Sequence, residues 1–213
     1  MPHRTQTPRE ELANTLSHAF GCVVAVLIWP WLVDAAAERS GAAGVLAASL
    51  FCGAMCFQYA ASAIYHGLAP GRAKQWAKAV DHAAIFIFIA GSSSPFTLGV
   101  MGGTAGAATC ALIWTLALAG ASLKLRRRLT NRRLSTGLYV LLGWFALIVA
   151  WPQVQHLDPV ELAWLLGGGG AYLVGTVFFV YDAQLRFGHL VWHLFALAGS
   201  ACHVCAAFGS ALF

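Results

Sequence analysis

Charge is what this sequence has least of. Only 21 of its 213 residues are Asp, Glu, Lys or Arg, while 59% are hydrophobic. Soluble domains carry about 25% charged residues, because a water-facing surface must be solvated. That deficit, with a mean hydropathy of +0.70, excludes an ordinary soluble domain and makes lipid the solvent over much of the exterior. No polar linker or low-complexity stretch divides the chain, so residues 1–213 are expected to form one domain. The first dozen residues hold no short apolar run with a small-residue cleavage site. No removable signal peptide is expected, and the first apolar helix serves as its own insertion signal. None of the six cysteines falls in a polar loop, and they read as small buried hydrophobes. Cys202-x-x-Cys205 lacks the βαβ setting of a redox motif. No stretch interleaves basic and aromatic residues, so the net charge of +5 does not indicate nucleic acid.

Long apolar runs are abundant. Crossing the hydrocarbon core takes about 20 mainly apolar residues, and seven such runs occur, at about 14–33, 43–66, 80–100, 105–123, 136–152, 160–181 and 188–212. The expected fold is an all-α membrane protein, a seven-transmembrane helix bundle. With the N-terminus in the cytoplasm and the C-terminus outside, every lysine and arginine except Arg39 lies on the cytoplasmic side, as the positive-inside rule requires. An even number of helices would break that alternation. Trp29, Trp31 and Trp151 then fall near the outer interface and Trp76 near the inner one. Pro95 is expected to kink the third span, with Ser92 to Ser94 re-satisfying freed carbonyls. Gly167 to Gly170, Ala171 and Gly175 are expected to let a neighbour approach the sixth span closely.

Ionisable groups within spans are costly and mark functional sites by default. His66 ends the second span, with Ser62 one turn before it. Asp81 opens the third beside His82, and His189 and His193 open the seventh. In this topology all lie at the cytoplasmic end. Histidines at i and i+4 share a helix face about 6 Å apart along the axis, a spacing that grips a metal ion. His66, from another helix, would complete a three-histidine set of the kind zinc enzymes use, with a fourth position left to water. Asp81 would hydrogen-bond that water or orient a ligand. The competing reading is that helix-end histidines serve as interfacial or capping groups. Asn14 and His18 read as second-shell or packing groups, and Glu11 as a charge favouring the helix dipole. His203 stands ten residues, roughly 15 Å, beyond His193, too far to share a metal, and is expected to hydrogen-bond within the bundle. His3 and His156 fall in loops.

Four segments together resemble the haemolysin III family, the bacterial relatives of the progestin and adiponectin receptors. They are Glu11-Leu-Ala-Asn14-Thr-Leu-Ser-His18, Ser62-Ala-Ile-Tyr-His66, Asp81-His-Ala-Ala-Ile85 with Gly91 and Ser94-Pro95-Phe96, and His189-Leu-Val-Trp-His193 continued by Ala198-Gly199-Ser200-Ala-Cys-His203. The resemblance spans nearly the whole chain. It implies seven helices with the N-terminus inside and a zinc ion on His66, His189 and His193. It also implies that Asp81 contacts the zinc through water and that Ser62 lines the site. The wider superfamily includes alkaline ceramidases, which hydrolyse a lipid amide. Ser92 to Ser94 depart from a bulkier, threonine-containing segment expected there.

Three functions follow as expectations. The first is zinc-dependent hydrolysis of a lipid amide or ester at the plasma membrane. Asp81 and Ser62 would be catalytic, and the membrane lipid would enter between helices. The second is a non-catalytic sensor or receptor with a structural zinc. The third, a pore or transporter, is disfavoured because ionisable groups gather at one end instead of lining the full depth.

Overall fold

The computed structural model describes residues 4–209. His3 and the last residues expected in the final span, 210–212, lie outside the described residues. Among those described, the ordered elements are all helical: α1 Pro8–Gly67, α2 Arg72–Ser94 running on into a wider π-helical turn at Pro95–Met101, α3 Gly103–Leu125, α4 Arg132–Val154, α5 Pro159–Tyr181 and α6 Gly188–Phe208. These are six helices long and apolar enough to cross a membrane.

The first is not one rod. A straight 60-residue helix would reach about 90 Å, yet Glu11 Oε2 lies 2.6 Å from His66 Nδ1. The reversal occurs at Gly41 (φ 56, ψ −139), a backbone conformation that only glycine adopts readily. An outgoing arm, 8–40, and a return arm, 42–67, thus pack antiparallel, with the Gly21 backbone beside Tyr59 and Trp29 beside Gly53. The expected spans 14–33 and 43–66 fall one in each arm.

Local chemistry sets the helix starts. Thr7 caps α1 reciprocally with Glu10, with Pro8 in the first turn. Asn131 caps α4 through the Leu134 amide, and Asp158 caps α5 ahead of Pro159. The break expected at Pro95 takes the form of the π-helical turn, and Ser93 and Ser94 both donate to the Ala90 carbonyl.

α6 packs against α5 and α1, and α2 lies between α1 and α3. Two close approaches rely on absent side chains: a Cβ on Gly91 would meet Ala54, and one on Gly175 would meet Trp192. The expected smooth face of α5 is only partly used. Gly168 and Gly175 touch α6, but Gly167, Gly169 and Gly170 border open space. Large apolar side chains such as Phe20, Leu27, Trp31 and Ile148 cover the outside, as a lipid-facing surface requires.

One more tie fixes the end of the bundle that carries the polar groups. Buried Glu10 accepts from the Phe187 backbone amide at 2.8 Å and from Arg4 at 2.8 Å. The first turn of α1 is thereby fastened to the loop that launches α6.

Candidate metal centre

His66 closes the return arm of α1, and His189 and His193 occupy the first turns of α6. All three are buried, and one ring nitrogen of each lies within 4.8 Å of the others. Ring centroids are 4.7 Å apart for His189 and His193, 4.9 Å for His66 and His189, and 5.2 Å for His66 and His193. The i, i+4 spacing puts two imidazoles on one face, and the hairpin at Gly41 delivers the third.

Each Nδ1 is already engaged. His66 Nδ1 contacts Glu11 Oε2 at 2.6 Å, and Lys74 Nζ holds the other Glu11 oxygen at 3.0 Å. His189 Nδ1 contacts Asp182 Oδ2 at 2.8 Å. Arg132 grips both oxygens of Asp182 at 2.7 Å. Burial pushes the Asp182 carboxyl up. The hydrogen bonds from His189 and Arg132 outweigh burial and hold it well below the usual carboxylate range. His193 Nδ1 lies 2.9 Å from Ser17 Oγ, whose own proton goes to the Asn14 carbonyl at 2.8 Å.

These partners fix the tautomers. Carboxylates only accept, and a serine whose proton is committed can only accept from the ring. Hence Nδ1 carries the proton in all three histidines, and three Nε2 lone pairs are left for one small space. His66 Nε2 is fully buried and makes no hydrogen bond. Three imidazoles with oriented outer nitrogens suit zinc or another late transition metal, whereas magnesium and calcium prefer oxygen donors. The group could hold such an ion.

The other expected residues lie around it. Asp81 is buried, interacts electrostatically with His66, and has Ser62 close to its carboxyl. Gln58 Nε2 donates to Asp81 Oδ1 at 3.3 Å. His18 stacks on His193, with centroids 3.5 Å apart and planes 7° from parallel. Asn14 is buried behind it and donates to Gln6 at 2.7 Å.

A cavity of about 420 Å³ runs up the bundle from this end, walled mainly by apolar side chains of α2, α4, α5 and α6. The three histidines do not line it. Its floor is His18, Gln58 and Phe179, which touch His193, Asp81 and His189 respectively. Gly143 of α4 and Gly169 and Gly170 of α5 border it with open space where a side chain would be.

Several contributors escaped the sequence reading. Glu11 lies in the first turn of α1, as a charge favouring the helix dipole should, and also anchors His66. Asp182 was not singled out, although a carboxylate just beyond a span and seven residues before His189 is a signal of the right kind. Ser17 sits between Asn14 and His18, both already read as groups near the site. Arg132 belongs to a basic cluster that reads as topological, and nothing local distinguishes it. His203, expected to hydrogen-bond within the bundle, makes no well-formed hydrogen bond through either ring nitrogen, although the Leu165 carbonyl interacts with the ring.

A family model described as haemolysin-III related matches residues 6–204. Hemolysin-3 of Bacillus cereus is 32% identical over 201 residues, covering 94% of this chain and 91% of that protein. The Hemolysin-3 homolog of Bacillus subtilis (strain 168) is 32% identical over 195 residues, 92% of this chain and 91% of that protein. The human monocyte to macrophage differentiation factor is 26% identical over 205 residues, 91% of this chain and 81% of that protein.

Proposed function

Because the chain belongs to the haemolysin-III-related family, we propose that it is a zinc-binding membrane protein that hydrolyses a lipid amide or ester beside His66, His189 and His193. The observation that carries this reading is the set of three Nε2 lone pairs, each fixed by a separate Nδ1 partner, next to buried Asp81. In this reading the two arms of α1 cross separately, giving seven crossings with the N-terminus in the cytoplasm. The metal end of the bundle then faces the cytoplasmic side of the plasma membrane, where all basic residues but Arg39 lie.

A zinc ion on three imidazoles would supply hydroxide near neutral pH and polarise a scissile carbonyl. Asp81 accepts the proton of the attacking water and passes it to the departing amine or alcohol, so that a carboxylic acid is released. Ser62 orients Asp81 by donating to its carboxylate, and once Asp81 has taken the proton from water that hydroxyl is released to donate to the developing oxyanion. Asn14 and His18 support the metal ligand His193. The lipid chain occupies the apolar cavity and enters from the bilayer between α4 and α5, past Gly143, Gly169 and Gly170.

Metal content of purified wild type, His66→Ala and His193→Ala tests the foundation, and incubation with ceramide and phospholipid tests the chemistry. Stoichiometric zinc lost in both variants, with a zinc-dependent fatty acid product abolished in Asp81→Asn, is the expected result. Zinc retained in both variants, or no product from the zinc-loaded protein, overturns it.

One observation favours a second reading, a sensor or receptor with a structural zinc. His18, Gln58 and Phe179 stand between the cavity and the histidines, so hydrolysis requires one of them to swing aside. X-ray absorption of the zinc protein separates the two: a water in the fourth position fits hydrolysis, and a fourth protein ligand fits the structural role.

A further inference from the structure

The far end of the cavity carries a polar group that the proposed chemistry does not use. His203 of α6 lines the cavity wall, is 91% buried, and hydrogen-bonds through neither ring nitrogen. The Leu165 carbonyl interacts with the ring, but outside hydrogen-bond geometry. The fold makes room for this imidazole: a Cβ on Gly168 would come within 2.3 Å of its Cδ2. Tyr172 and Phe96 pack edge-on against it, at 5.3 and 5.9 Å between centroids. The Tyr172 hydroxyl bonds Ser200 at 3.0 Å and makes no hydrogen bond to the ring.

A buried imidazole whose ring nitrogens make no well-formed hydrogen bond is costly in a mainly apolar chamber. As a neutral ring it offers one donor and one acceptor. A hydroxyl answers both with one small, uncharged group. Among the described residues that line the cavity none is Asp, Glu, Lys or Arg, which argues against a charged ligand group there. The helical rise separates His203 from His193 by roughly 15 Å. An extended chain advances about 1.2 Å per bond, so that span corresponds to about a dozen bonds.

We infer that the cavity selects a lipid bearing a mid-chain hydroxyl, held by His203, about a dozen bonds from the carbonyl presented to the metal end. The inference rests on reading the cavity as the lipid site, and not on catalysis.

The test measures equilibrium binding of octadecanoic acid, 12-hydroxyoctadecanoic acid and 2-hydroxyoctadecanoic acid to the purified full chain in nanodiscs. Competition against a fluorescent fatty acid gives the affinities. One buried hydrogen bond gives the 12-hydroxy acid an affinity about three- to tenfold above the parent acid. His203→Phe removes that preference and leaves the parent acid bound as before, whereas His203→Gln keeps part of it. The 2-hydroxy acid shows no His203-dependent gain. Equal binding of the 12-hydroxy and parent acids by wild type overturns the inference without recourse to any variant, as does a preference that survives in His203→Phe. If none of the three acids binds, the lipid-site reading fails together with the inference. If the preference is present but no lipid is hydrolysed, only the enzymatic reading fails.

Discussion

The Nδ1 partners of the three histidines differ in charge, and metal affinity should follow that difference. Asp182→Asn keeps the shape of the side chain and an acceptor oxygen for His189. It removes the negative charge that stabilises the ring as a ligand and leaves Arg132 gripping an amide. Changing such an outer partner costs about 10–100-fold in metal affinity, or about 1.4–2.7 kcal/mol. Ser17→Ala removes a neutral partner from His193, and a neutral hydrogen bond contributes only about 0.5–1.5 kcal/mol, a two- to tenfold effect. The expected order of zinc affinity is therefore wild type, then Ser17→Ala, then Asp182→Asn. Arg132→Ala should fall near Ser17→Ala, because Asp182 still accepts from His189. Titration of the apo protein against a competing zinc indicator measures all four, with melting temperature confirming that each variant is folded. An Asp182→Asn protein within twofold of wild type, or weaker binding by Ser17→Ala than by Asp182→Asn, would refute the account of how the histidines are oriented.

Chelation should lower thermal stability, because an ion at a free concentration a thousand times its Kd stabilises the folded state by about 4 kcal/mol. The melting temperature in excess EDTA should fall by several degrees and recover on adding zinc. Gly41→Ala should destabilise by about 1–3 kcal/mol through backbone strain alone, since nothing lies within 4 Å of the added Cβ; thermal unfolding reads the loss. Gly170→Leu adds bulk where the cavity borders open space. It should leave zinc content and melting temperature unchanged while weakening fatty acid binding at least several-fold.

The apolar runs and the i, i+4 histidines were legible because each is a local signal: run length against bilayer thickness, and helical period against ligand spacing. His66 was legible through its depth, since a span end can be counted. The outer partners were not. Glu11, Ser17 and Asp182 reach their histidines across separate helices, and which face each side chain takes depends on packing that no single segment encodes. The hairpin shows the same division. Two spans were visible between residues 14 and 66, but the helical backbone continues almost unbroken through residues 34–42, and only the positive φ of Gly41 turns it. The helical rise placed His203 outside the three-histidine group. Its lack of a well-formed hydrogen bond is a property of the cavity, which forms only when α2, α5 and α6 are together.

The contact between Ser17 and His193 joins positions 176 residues apart, and its timing follows from that separation. At about 5–20 residues per second, the ribosome makes Ser17 roughly 9 to 35 seconds before His193. During that interval the hairpin can bring Glu11 to His66, but the nascent chain has one imidazole of the three. All three imidazoles can grip one cation only once α6 has entered the bilayer, so loading with metal would report the insertion of that helix.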